Sequence, residues 1–167
     1  STIPTPVKIE PALNVDIPFS RMVPVCASMV PLLKNGTPSV LVLGVPDLSG
    51  IMAIYNLFRG KLELSAFEFF SEPALRHVLK KGLHRPFESE TPYYVLIEFE
   101  NPEDLHTDTV LGLFEHCVEQ GWLADGVISQ SEAQAKELWR LREDISESIS
   151  EYQPYKNDIA VRISRVP

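Results

Sequence analysis

Two polar residues between Ser131 and Ser150 are out of place in an otherwise regular helical pattern. At about 100° per residue, Leu138, Leu141, Ile145 and Ile149 share one side of the helix. Lys136, Glu137, Arg140, Glu143, Asp144 and Glu147 share the other. Arg142 and Ser146, one turn apart, fall inside the apolar stripe beside Trp139. A guanidinium aimed at a core cannot be left alone, because an unpaired buried charge is strongly destabilising. Three outcomes are open: a structural ion pair with Glu68 or Glu98, a side chain that reaches along the surface to water, or a cavity wall where an anion binds. The planar fork of arginine suits the last role, since it grips a carboxylate through two parallel donors. Ser146 can add a hydroxyl to the same anion. Lys156, in Tyr155-Lys156-Asn157-Asp158, stands where a final strand begins. It brings a positive charge either to that pocket or to a solvated strand end.

The other chemistry-bearing residues show no such pattern. His77, His84, His106 and His116 do not pair at metal-ligand spacing, so they read as structural or exposed and no metal ligands are expected here. Cys26 and Cys117 are far apart and outside any CxxC motif, which suits reduced, buried thiols better than a zinc site. GxSxG, P-loop and GxGxxG patterns are absent. Glu98 and Glu100 share one face of a strand and read as solvent-directed, while Tyr93, Tyr94 and Trp122 read as core or interface.

The elements that must position Arg142 follow from periodicity. Val40 to Val45 reads as a short apolar strand, and Asp47 can cap a helix carrying Ile51, Ile54, Tyr55 and Phe58. Leu62 to Phe69 reads as a second strand. Ser71 can cap a short helix with Pro73 in its first turn. After a loop over 82–92, Tyr93 to Glu100 alternates as a strand. A helix carries Val110, Leu113, Phe114, Cys117 and Val118, with Gly121 placed to end it. Ala124 to Ser129 is a short strand, and Ser131 with Gln134 is a capping-box start to the long helix over 131–150. Ile159, Val161 and Ile163 alternate in a last strand. The order suggests two βαβ-type halves and an α+β fold: a ferredoxin-like sandwich, with an antiparallel sheet and helices packed on one face. Residues 1–38 differ, holding seven of the fourteen prolines, and read as an extended N-terminal segment with edge strands.

Composition narrows the function classes. The 167 residues carry a formal net charge of −8, which disfavours nucleic acid and anionic membrane surfaces as partners. No apolar run approaches the roughly 20 residues of a membrane span. The lack of a signal peptide and the reduced cysteines point to the cytoplasm, or to the mitochondrial matrix in a eukaryote. Ser1 and the ending Arg165-Val166-Pro167 read as the limits of an excised segment.

Five pieces of sequence also occur together in a recognisable order: Leu64-Ser65-Ala66-Phe67-Glu68-Phe69, Pro92-Tyr93-Tyr94-Val95-Leu96-Ile97-Glu98, Asp125-Gly126, Leu138-Trp139-Arg140-Leu141-Arg142-Glu143 and Tyr155-Lys156-Asn157-Asp158-Ile159. As a set they resemble the C-terminal cap domain of FAD-linked oxidases, nearest to the D-2-hydroxyglutarate and D-lactate dehydrogenases and the glycolate oxidase flavin subunit. The resemblance covers about residues 39–163 and implies a cap domain over 39–167. It implies that Arg142, Ser146 (where threonine is common) and Lys156 bind the substrate. It further implies FAD, bound by a domain of the same protein that precedes this region, and a divalent metal held by a His-x6-His pattern beyond the last strand. Neither lies within these 167 residues, so no catalytic residue of the chain's own is expected. The implied reaction removes the hydroxyl proton of a small D-2-hydroxy acid and passes its C2 hydride to the flavin. The implied partners are the 2-hydroxy acid, the FAD-binding domain and, as an open case, a second copy of the chain. The competing reading is a non-catalytic ferredoxin-like module for ligand binding or oligomerisation.

Overall fold

The computed structural model describes residues 23–24, 37–100 and 107–154. The expected last strand, Lys156, Cys26, His106 and most of the proline-rich segment lie outside them.

Alternating apolar residues build an antiparallel sheet in the order β1-β5-β2-β4-β3. Its strands are β1 (Val23–Pro24), β2 (Ser39–Val45), β3 (Leu64–Ser71), β4 (Tyr93–Phe99) and β5 (Asp125–Ile128). The two-residue β1 pairs with β5, Val23 opposite Ile128. Among the described strands β1 is an edge, a position where the missing donor of proline is tolerated. β2 pairs along its whole length with β4, from Ser39 opposite Phe99 to Val45 opposite Tyr93. β5 borders β2 on one flank and β3 borders β4 on the other. The two β-helix-β units therefore interleave: the strands flanking each helix are separated by a strand of the other unit.

The helices are α1 (Leu48–Arg59), α2 (Glu72–Leu79), α3 (Thr107–Glu119), α4 (Glu132–Glu143) and α5 (Ile145–Ser148). Local chemistry sets their ends. Asp47 accepts from the backbone N–H groups of Ser49 and Gly50 at the start of α1. Beyond α3, Gly121 turns the chain at φ 73°. Its N–H donates to Val118 O, and that of Trp122 donates to Cys117 O. This pair of bonds satisfies the last carbonyls of the helix and favours glycine at the left-handed position. Ser131 accepts from Gln134 N at 3.2 Å. The reciprocal half of the capping box is displaced, because Gln134 Oε1 takes the N–H of Gln130 instead, at 2.6 Å.

The α+β class and the antiparallel sheet are as expected. The single helical face is not. Leu41, Leu43, Val45, Val95, Ile97 and Phe99 pack against α1 and α3, where the Cys117 thiol is buried. Val40, Val42, Tyr94 and Leu96 pack on the other face with Phe87 and with Leu75, Leu138 and Leu141 of α2 and α4. Both faces of β2 and β4 are thus covered, and β2 is buried at every position. The alternation expected for β4 hides an equally apolar second set, Tyr94 and Leu96, and the unbroken run Val40-Leu41-Val42-Leu43 of β2 is that of a two-sided strand.

The long helix over 131–150 is also corrected. It breaks at Asp144, and α5 lasts four residues before a 3-10 turn over Ser150–Tyr152. Ser148 Oγ donates to Asp144 O at 2.7 Å, a back-bond of the kind that bends helices. Past the break the buried direction rotates: Ser148 turns inward and Ser146 outward.

Candidate functional site

α4 lies across the face of the sheet that β3 and β4 offer with Glu68 and Glu98. The register sets Glu68 beside Leu96, and Ala66 beside Glu98, so both carboxylates leave the sheet towards the helix. Trp139 Nε1 donates to Glu98 Oε2 at 2.7 Å, and Ser65 Oγ donates to Glu98 Oε1 at 2.9 Å. Ser65 reaches it from an irregularity between Leu64 and Ala66, where a bulge re-aims a side chain. Glu98 is therefore half-buried and doubly bonded rather than solvent-directed.

Three residues further along α4, Arg142 Nε stands 2.5 Å from Glu68 Oε2, with 37% of each side chain exposed. Among the described residues Glu68 is the one charged partner of Arg142, met at the Nε edge, and the two terminal nitrogens lie on the other side of the fork. Ser146 is exposed on α5. Lys156 lies outside the described residues. The bend at Asp144 explains why Ser146 leaves the stripe that a straight projection gave it.

The largest ionic cluster escaped the sequence reading. Glu72, the first residue of α2, is buried. It accepts from Tyr94 Oη at 2.6 Å, Arg76 Nε at 2.7 Å and Arg85 Nη1 at 3.0 Å, and also pairs with Arg85 Nη2. Glu90 ties both arginines from outside, at 3.0 Å each. Burial alone would push the Glu72 carboxyl up; the donors Arg85, Tyr94 and Arg76 outweigh it and hold it at about 2. The Arg85 guanidinium is raised, first by its bond to Glu72. Burial, then the bond to Glu72, pushes the Tyr94 hydroxyl up. No spacing rule joins Glu72, Arg85 and Tyr94, which come from a helix, a loop and a strand. Their bonds staple the 82–92 loop to the sheet.

Asp125 opens β5 and is buried; its Oδ1 accepts the N–H of Gly126 at 2.8 Å, and burial raises its carboxyl against the opposing bonds from Ser89 and Gly126. On the opposite face from Arg142, α1 and β3 border a groove of about 510 Å³ whose walls include Ile51, Tyr55, Arg59, Phe67 and Phe69. Arg59 sits 5.3 Å above the Tyr55 ring.

Among the described residues none fits the two groups that the sequence resemblance implies. Gly44 is closed by Thr91 and Phe87, and Gly126 by Phe114 and Leu43, so neither opens a cradle for a pyrophosphate. Among the described residues no three His, Cys, Asp or Glu side chains gather as a metal site, and no helix is long and apolar enough to cross a membrane.

Comparison with known proteins bears on the same region. Residues 36–167 match the family model for FAD linked oxidases, C-terminal domain. The D-2-hydroxyglutarate dehydrogenase of Stutzerimonas stutzeri (strain A1501) is 53% identical over 130 residues, covering 77% of this chain and 28% of that protein. The D-2-hydroxyglutarate dehydrogenase of Xanthomonas citri pv. viticola is 49% identical over 129 residues, with 77% and 27% covered. The mitochondrial D-2-hydroxyglutarate dehydrogenase of Bos taurus is 35% identical over 138 residues, with 80% and 25% covered. The chain spans about a quarter of the length of these curated relatives.

Proposed function

Since the chain belongs to the FAD-linked oxidases through their C-terminal domain, we propose that it is the substrate-binding cap of a flavin-dependent dehydrogenase. The enzyme oxidises a D-2-hydroxy acid, D-2-hydroxyglutarate or D-lactate, to the 2-oxo acid. The cap is incomplete alone and works with an FAD-binding domain of the same protein. A divalent metal, if the enzyme uses one, is held by residues beyond those described. The expected compartment is the cytoplasm, or the mitochondrial matrix in a eukaryote.

The observation that carries this reading is the Arg142 guanidinium. It is half-exposed, its Nε side is held by Glu68, and its terminal nitrogens are left to a carboxylate. A forked cation of this kind fixes an acid in both position and orientation, which shortens the search for a reactive geometry. Ser146 and Lys156 complete the anion site in this reading. Ser146 is exposed on α5, four residues beyond Arg142.

The test is Arg142→Ala in the full-length dehydrogenase. The expected loss in kcat/KM for the D-2-hydroxy acid is on the order of 10²-fold, with FAD content unchanged. Unchanged kinetics would remove Arg142 from the substrate site.

A further inference from the structure

The ion pair between Arg142 and Glu68 is made on one edge of the guanidinium. A guanidinium presents two faces of donors: a side edge through Nε and an end through its two terminal nitrogens. Glu68 Oε2 approaches Nε at 2.5 Å. The neighbouring carboxylate, Glu98, is engaged by other donors, Trp139 Nε1 on one oxygen and Ser65 Oγ on the other. The backbone of Glu68 is fixed too, registered against Leu96 in the interior of the β3–β4 ladder. Arg142 projects from the last turn of a helix that bends two residues later. Without an anchor its four-bond side chain would sample many rotamers there.

We propose that Glu68 is a positioning residue for Arg142. It clamps the Nε edge so that the end of the fork points outward, preorganised for the carboxylate of a 2-hydroxy acid. This rests on the assignment of Arg142 to substrate binding. Glu68 itself touches no substrate; it acts through the arginine, as outer partners of charged ligands commonly do. The ladder position explains how a strand residue governs a helix residue 74 positions away, since β3 supplies a rigid base from which the clamp is held.

The experiment compares Glu68→Ala, Glu68→Gln and Glu68→Asp with Arg142→Ala, all in the full-length FAD-loaded enzyme. KM and kcat for the D-2-hydroxy acid are measured beside thermal stability. Removal of the charge by E68A or E68Q is expected to raise KM about tenfold while kcat stays within about twofold. E68D, which keeps the charge, is expected to recover most of that loss. E68Q preserves side-chain volume and decides the matter if E68A does not fold. A stable E68Q enzyme with wild-type KM would overturn the proposal. So would an E68D enzyme no better than E68Q. A merely structural Glu68 would move the melting temperature and leave KM alone. If Arg142→Ala is itself without effect, the substrate-site reading fails first; if Arg142→Ala is crippling and E68Q is not, only the clamp fails.

Discussion

Glu72 is a carboxylate that the fold keeps charged although it is buried. Its folded value of about 2 lies below the ordinary 4.5. A depressed carboxyl contributes stability that is fully present above 4.5 and is lost as pH falls towards 2. The shift corresponds to about 3 kcal/mol. Urea unfolding of the chain at a series of pH values should therefore show stability falling through that window. Glu72→Gln should lack this slope, and at neutral pH it should be less stable by a similar amount, because Arg85 keeps its place with its main partner neutralised. An E72Q protein with wild-type stability at pH 7 would show the cluster to be idle. The contrast with Arg142 tells what a sequence displays at this scale. Arg142 is conspicuous because a single helix sets its expected direction, and the chain prints that direction every 3.6 residues. Glu72 is inconspicuous because its burial is decided by a loop thirteen residues away and a strand residue twenty-two away. Glu98 misled for the same reason: the helix that covers it lies forty-one residues on.

Caps and turns are the features most fully written in the sequence at the level of elements. Asp47, Ser131 and Gly121 all act where their types suggested, because each answers to backbone groups within a few residues. Ser131→Ala should lower the stability of the chain by about 1 kcal/mol, read as a drop in melting temperature, by leaving the Gln134 N–H without its acceptor. No change would mean that the first turn of α4 is held by packing alone. The bend at Asp144 was not legible in this way. Ser148 lies at the margin of the helical stripe, and only its bond back to Asp144 O shows that the axis turns. A wheel drawn for a straight helix carries Ser146 inward with Arg142; in the fold Ser146 is exposed and Arg142 half-buried. The candidate site is thus half readable: the arginine from its neighbours in sequence, its serine companion only from the path of the chain.

The whole molecule is organised by a sheet whose two central strands have no wet side. Leu96 and Ile97 are adjacent in β4, and both are fully buried, one against α2 and α4 and the other against α1 and α3. Replacing either by alanine should cost about 2–5 kcal/mol in denaturant unfolding of the chain. In a sheet with one solvated face, only one of the two would be costly, so a silent partner would contradict the double layer. The succession of strands and helices from Ser39 to Ile128 was legible in the sequence, but the second layer was hidden, since α2 and α4 look like ordinary amphipathic helices until something lies beneath them. β3 remains the exception, with Phe69 still 47% exposed at the rim of the groove.

The inner layer also holds a silent gauge. Cys117 is wholly enclosed beneath α3, and burial pushes its thiol up to about 11. At neutral pH it stays a protonated sulfur that no alkylating reagent can reach while the domain is shut. Once Cys26 is replaced, every modified molecule marks one visit to an open form. The pace of labelling would count those visits, and the domain would report its own breathing through a thiol it already carries.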